Sequence, residues 1–234
     1  MNIIVYADFN CPCCYLASLR ADSLALAGAA GVDWRAVEHD RSLPLTGVRT
    51  DAGETSWHRR LAEARTLARP GEQVSGALPL LISNTRAAVS AYAEAVSDGI
   101  AGDLRRRLFR AIWIQGLHLS DAYDVRAVVR ELVWPGGDAL ARLQSPSMPA
   151  PLGHDPDLAH VVRRSGGVIT PDGGPLTTAG FRRIRRWRAE WAALPQQVVP
   201  AVIDADGDWH GGADGLRYLA SVAGMARPRR GRAA

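Results

Sequence analysis

Three cysteines fall within four positions, Cys11, Cys13 and Cys14, and their flanks constrain the chain more than any other feature. Before them, Asn2 to Ala7 (NIIVYA) is short, apolar and β-branched, which reads as a buried strand. Asp8-Phe9-Asn10 reads as a turn. Pro12 suits the first turn of a helix, where its missing N–H costs little. From Tyr15 to Leu26 apolar residues recur at helical spacing, and Gly28 and Gly31 are expected to end that helix. Val32 to Glu38 then alternates apolar and polar residues, the pattern of a second strand. The result is a βαβ unit with the cysteines at its strand-to-helix corner.

Beyond this unit the character changes. His39 to Gly53 is turn-rich and reads as a crossing loop. Ser56 to Leu67, Thr85 to Asp98, Leu104 to Ile114 and Val125 to Val133 carry helical periodicity, with Asn84 and Asp121 as candidate N-caps. Gly136 to Pro156 is proline-rich and loop-like, with a weak helical stretch at Ala139 to Leu143. Gly166 to Gly180 reads as a glycine-rich loop, and Arg182 to Leu194 as an arginine-rich amphipathic helix. Strand character returns at Val198 to Asp204, interrupted by Pro200. Asp206-Gly207 signals a hairpin, Trp209-His210 begins the partner strand, and Ala213 to Val222 forms a closing helix. The order is βαβ, a helical block, then ββα.

The expectation is an α/β, thioredoxin-like fold with an all-helical insertion between the βαβ and ββα halves. Residues 1–50 and 195–225 would form the thioredoxin-like domain, 51–194 the helical insertion and 226–234 a disordered basic tail. The 234 residues, 47% hydrophobic, are enough for a sizeable core. All 28 basic residues are arginine, against 24 acids, a formal net charge of +4. The two signs are interspersed, and no dense basic block precedes the C-terminus, so nucleic acid is not an expected partner. No apolar run is long enough for a membrane span. Asp8 closely follows the apolar start with no charged segment ahead of it, so no signal peptide is read, and the cytoplasm is the expected location.

In a reducing compartment a tight cysteine cluster points to catalysis or metal binding. Cys11, Cys13 and Cys14 cannot easily face one ion, and no downstream cysteine pair completes a zinc set, so no metal is expected. Disulfide exchange needs a thiolate nucleophile and a second thiol to resolve the mixed disulfide. Cys11, just before the first helical turn, would feel exposed N–H groups and the helix dipole, which lower a thiol pKa from about 8.5 towards 3.5–7.5. Cys14 lies one turn deeper. Cys11 is therefore expected to be the exposed, attacking sulfur and Cys14 the buried, resolving one. Cys13 is either an exposed residue that tunes the motif or an alternative disulfide partner. Asp8 either relays protons near the thiols or accepts backbone hydrogen bonds at the turn. The histidines His58, His118 and His210 show no spacing that suggests a site. Trp57, Trp113, Trp187 and Trp191 read as packing residues.

Asp8-Phe9-Asn10-Cys11-Pro12-Cys13-Cys14-Tyr15 resembles the D-x-x-C-P-W-C-Y signature of cytoplasmic DsbA-like oxidoreductases, the FrnE-like group. Asn84-Thr85-Arg86-Ala87-Ala88, Leu108 to Trp113, Gly116 to Asp121 and Val199-Pro200-Ala201-Val202-Ile203 resemble further segments of that family, in the same order. The resemblance implies disulfide exchange with no metal or organic cofactor. It implies Cys11 as nucleophile, Cys14 as resolver and Pro200 as a cis-proline facing the motif. Val199 would present backbone groups to a bound peptide, and Pro12 and Cys13 would line the substrate side. Substrates would be protein or low-molecular-weight thiols and disulfides, and the protein a monomer or homodimer. Cys13 stands where the family usually has Trp, and Gln196-Gln197 replaces a glycine-containing lead to the proline. Pro146 to Gly180 is longer and more irregular than in the family. Kappa-class transferases and hydroxychromene-carboxylate isomerases share the architecture but typically carry Ser at the place of Cys11. A thiol-dependent isomerase or transferase acting on a small aromatic compound is the alternative, and a non-catalytic binding module the third.

Overall fold

The computed structural model describes residues 2–51, 55–133 and 169–225. Its centre is a four-stranded mixed sheet in the order β2-β1-β5-β6. Strand β1 (Asn2–Ala7) pairs in parallel with β2 (Gly31–Ala36) and antiparallel with β5 (Ala201–Ile203), which pairs antiparallel with β6 (Trp209–Gly211). With partners on both edges, β1 buries four of its six residues, which is why it reads as an apolar run. Helix α1 (Pro12–Leu26) crosses from β1 to β2. It ends where Gly28 takes a positive φ of 61° and the Ala29 N–H reaches the Leu24 carbonyl at 3.0 Å. Gly31 opens β2 rather than closing the helix.

Between the halves lie α2 (Ser56–Leu67), α3 (Arg86–Ala95), α4 (Ala101–Trp113), α5 (Ala122–Val133) and α6 (Thr178–Ala192). The chain closes with α7 (Ala213–Met225), which packs on α1. The described elements thus follow the expected thioredoxin-like order, with helices inserted after βαβ. The insertion shares one apolar core with the sheet. Phe9, in the turn after β1, meets Phe109 of α4 at 4.9 Å and Tyr92 of α3 at 6.0 Å between ring centroids. Trp34 of β2 meets Phe109 edge-on at 5.8 Å. Such pairs add to the burial of the rings themselves.

Several boundaries differ from the sequence reading. The crossing loop holds a two-residue strand, β3 (Val48–Arg49), paired with β4 (Leu81–Ile82), both too short to leave a period. Thr85, not Asn84, is the residue before α3, although the Asn84 Oδ1 accepts the Arg86 N–H at 2.9 Å. Asp121 does precede α5 and accepts the Tyr123 N–H at 2.6 Å. Helix α6 starts at Thr178, so Gly180 lies in its first turn rather than in a loop, with its N–H bonded to the Thr177 hydroxyl. Only Ala201–Ile203 of the Val198 to Asp204 run pairs as a strand. The Ala139 to Leu143 stretch, most of the Pro146 to Gly180 segment and the 226–234 tail lie outside the described residues. Among the described residues, no helix is long and apolar enough to cross a membrane.

Candidate active site

The thiols stand at the C-terminal edge of β1, where α1 begins. Cys11 is extended, with φ −102° and ψ 121°, and precedes Pro12, the first helical residue. No side chain caps this helix end, so its first N–H groups remain available to negative charge at the motif. The turn before it is held from the insertion. The Trp113 indole N–H donates to the Phe9 carbonyl at 2.9 Å, and the Asn10 side-chain amide donates to the Ser83 carbonyl at 3.2 Å. Two of the tryptophans read as packing residues therefore also position loops, since the Trp191 indole N–H donates to the Val198 carbonyl at 3.1 Å.

Opposite the motif runs the loop into β5, in which the Val199–Pro200 bond is cis. The Cys11 thiol points at the Val199 carbonyl, with sulfur and oxygen 3.6 Å apart. Pro12, Cys13, Val199 and Pro200 are all buried. Two expectations are corrected here. Cys11 is only 2% exposed, and Cys13 only 5%. Cys11 is covered because it packs against the proline loop on one side. Cys13 is covered because α2 lies across the start of α1, placing the Arg60 carbonyl 3.9 Å from the Cys13 sulfur. All three cysteines are free thiols.

The three sulfurs are electrostatically unlike. Thiol hydrogen bonds from Cys13 and then Cys14 hold the Cys11 pKa well below that of an ordinary thiol, against its burial. The Cys14 backbone N–H and the Arg60 guanidinium act in the same direction. Burial, then the negative Cys11 sulfur, push the Cys14 thiol well up. Cys13 is pushed up by its bond to Cys11 and by burial. His39 is lowered by burial and by Arg60, so at neutral pH it stays uncharged and does not serve as the counter-ion of Cys11.

Asp8, fully buried, takes the structural one of the two roles weighed for it. It accepts the Thr85 hydroxyl at 2.6 Å and the His39 N–H at 2.7 Å, which joins β1 to α3 and to the loop after β2. Burial also pushes its carboxyl up to about 7, with the Cys11 charge adding to the rise. The sequence drew attention to Asp8 and the thiols but not to Arg60, His39 or the Asp8 contact of Thr85. A shallow amphipathic groove of about 880 Å³ lies between the loop after β2 and α6. Its wall carries exposed Leu45 and Phe181 together with Arg41, Arg185 and Arg188. His58, His118 and His210 are apart from the site. His58 closes the capping box of α2 with Thr55, His118 pairs with Ser120, and His210 pairs with Asp204 at 2.9 Å. Among the described residues no cluster of three or more His, Cys, Asp or Glu is arranged to hold a metal.

A CxxC pair at the strand-to-helix corner of such a sheet, facing a cis-proline loop, defines a protein of the thioredoxin-like class. Within that class, the chain belongs to the DSBA-like thioredoxin domain family, whose model matches residues 2–162. A probable DsbA oxidoreductase from Streptomyces coelicolor shares the fold at a TM-score of 0.59 and 15% identity, over 100% of this chain and 93% of the other. The cytosolic disulfide reductase DsbM from Pseudomonas aeruginosa matches at 0.59 and 13%, over 97% and 99%. A 2-hydroxychromene-2-carboxylate isomerase matches at 0.58 and 18%, over 96% and 95%. Comparison with curated protein sequences gives no match.

Proposed function

We propose that this protein is a thiol–disulfide oxidoreductase in which Cys11 is the nucleophile and Cys14 the resolving thiol. The observation that carries the reading is the opposed tuning of two thiols three residues apart, one favoured as thiolate and the other held protonated. In the reducing direction the Cys11 thiolate attacks one sulfur of a substrate disulfide. The substrate S–S bond breaks, a Cys11–substrate bond forms, and the released sulfur takes a proton. Cys14 then loses its proton and attacks the Cys11 sulfur. The Cys11–Cys14 bond forms, the second substrate thiol leaves, and two electrons have passed to the substrate. Asp8, with a pKa near neutrality and close enough to be raised by the Cys11 charge, is suited to take the Cys14 proton. With Cys11 in a mixed disulfide, its sulfur has no hydrogen for the Val199 carbonyl, and that carbonyl becomes available to a substrate N–H. No metal or organic cofactor enters these steps.

Substrates in this reading are protein or small-molecule thiols and disulfides. A structure of DsbM is with glutathione, and a slim anionic thiol of that kind suits a buried Cys11 in a protein that also carries an arginine-lined groove. Work in the cytoplasm is part of this reading, as for the cytosolic DsbM. Stabilising the Cys11 thiolate favours the reduced form, which moves the couple towards the oxidising end of the range from about −270 to −120 mV.

The test is a redox titration against glutathione buffers, with alkylation and mass mapping of each cysteine. A reversible Cys11–Cys14 bond, with a potential above about −200 mV, is expected. A Cys11→Ser variant is expected to lose all disulfide turnover. If that variant instead retains full activity on an aromatic carboxylate in the presence of a thiol, the isomerase alternative replaces this reading.

A further inference from the structure

The arginines of α6 are used unequally by the rest of the fold. Arg183 donates to the Ala93 carbonyl of α3, and Arg186 pairs with Glu190 at 3.8 Å. Arg185 and Arg188 make no ion pair or hydrogen bond among the described residues, and neither does Arg41 of the loop after β2. All three line the groove of about 880 Å³ between that loop and α6, and Glu38 is the one acid in its lining. The remaining arginine of the lining, Arg86, is neutralised by Asp172 at 2.8 Å. Between the charges the wall is apolar, with Leu45 and Phe181 each 58% exposed. Ser90 of α3 also lines the groove. It is only 2% exposed, and its hydroxyl has no hydrogen-bond partner among the described residues. Such a hydroxyl is already largely stripped of water, so bonding a ligand there costs little further desolvation.

We propose that this groove is a docking site for an acidic segment of a partner protein, one in which apolar side chains are flanked by carboxylates. Three arginines without a partner carboxylate set the sign of the occupant, and planar guanidinium groups suit carboxylates in particular. Exposed apolar surface rimmed by charge is the mark of an interaction site. Length selects a peptide over a small anion. From Phe181 to Ala192, which both line the groove, α6 rises about 16 Å at about 1.5 Å per residue, the span of about five residues of extended chain. Arg185 and Arg188 lie about one helical turn apart along this wall, so carboxylates on either side of an apolar residue can each meet one. The apolar side chains then cover Phe181 and Leu45, and the Ser90 hydroxyl donates to a peptide carbonyl. This docking goes beyond thiol exchange and needs none of the cysteines.

The test is calorimetric titration of the full-length reduced protein with the peptide acetyl-Glu-Asp-Phe-Leu-Asp-Glu-amide. A Kd below about 100 µM is expected at low salt, rising as salt screens the arginines. Replacing Arg185 and Arg188 together by Gln should weaken binding about tenfold, and Phe181→Ala by a similar factor. Ser90→Ala should weaken it about fivefold. Replacing Arg49 and Arg217 together by Gln removes the same two charges outside the groove and should leave binding unchanged. Equal weakening in the two double variants overturns the proposal, because net charge alone would then account for binding. No binding at about 1 mM peptide overturns it outright. So does equal or tighter binding of oxidised glutathione or of acetyl-Glu-Asp-Ser-Ser-Asp-Glu-amide, since the groove would then select a small anion or charge without an apolar anchor. The Cys11→Ser variant is expected to bind the peptide as tightly as wild type, so this proposal and the oxidoreductase reading fail on separate results.

Discussion

Asp8→Asn is the perturbation whose consequence the structure sets most clearly. The carboxyl is fully buried, and its pKa lies at about 7 against 3.8 for a free aspartate, chiefly because burial penalises the charge. Below pH 4 the group is protonated in the folded and unfolded chains alike, and no penalty exists. As pH rises through 4 the unfolded chain releases the proton while the folded chain keeps it until about 7. The folded state binds more protons within that window, so stability falls across it and is level above it. A separation of about three pH units corresponds to about 4 kcal/mol. Asn at this position has no charge to bury. It can accept the His39 N–H and donate to the Thr85 hydroxyl, so any cost of the exchange is the same at every pH. The expected result is a stability difference, variant minus wild type, that grows by about 4 kcal/mol between pH 4 and 7.5. The assay is urea unfolding of the reduced proteins at several pH values in that range. In the oxidised protein the Cys11 charge is gone, so the upper edge of the window should move down. A difference that stays flat with pH would refute the assignment of a neutral, buried Asp8.

Two further perturbations have defined outcomes. Arg20 is 3% exposed and donates to both Glu72 carboxylate oxygens at 2.8 Å, to the Leu67 carbonyl at 2.7 Å and to the Leu216 carbonyl at 2.8 Å. It ties α1 to the end of α2 and to α7, so Arg20→Met should cost about 3–5 kcal/mol in urea unfolding, and a cost below 1 kcal/mol (about a fivefold change in the folding constant) would contradict this account. Arg185 and Arg188 line the groove between the loop after β2 and α6. Replacing both by Gln should raise KM for oxidised glutathione, an anionic disulfide, with kcat unchanged and with the effect weakening at high salt; a fall in kcat at constant KM would show that the groove is not a binding surface for it.

The legible parts of the fold were those with a period or a breaker. The strand Asn2–Ala7, the proline-started α1, the four helices α2 to α5 and the Asp206-Gly207 turn all carry such marks, and the structure places each within a few residues. The misses share a cause. The strands β3 and β4 are two residues each, below any periodic signal. Gly180 reads as loop because glycine is a poor helix former. It is helical here because a side chain at that point would meet the Glu94 carboxylate, which accepts the Thr177 hydroxyl and N–H at the start of α6. A contact across 83 residues decides that boundary, and no local pattern carries it.

The site divides along the same line. The nucleophile and its resolver are written in four consecutive residues, because a helix N-terminus and a one-turn spacing are local facts. Their burial is not local. The sequence reading left Cys11 and Cys13 at the surface, as a first helical turn ordinarily is. The cover comes from Arg60 in α2 and Val199 before β5, far from the motif along the chain. The same two contacts supply the carbonyls that the Cys11 and Cys13 thiols use when uncharged. Ionising Cys11 removes the hydrogen that bonds it to the proline loop. A thiol motif alone specifies which bonds can be exchanged. How readily the thiolate forms is set by what the insertion lays over it, so members of this fold with identical motifs can differ in potential through the helix that covers them.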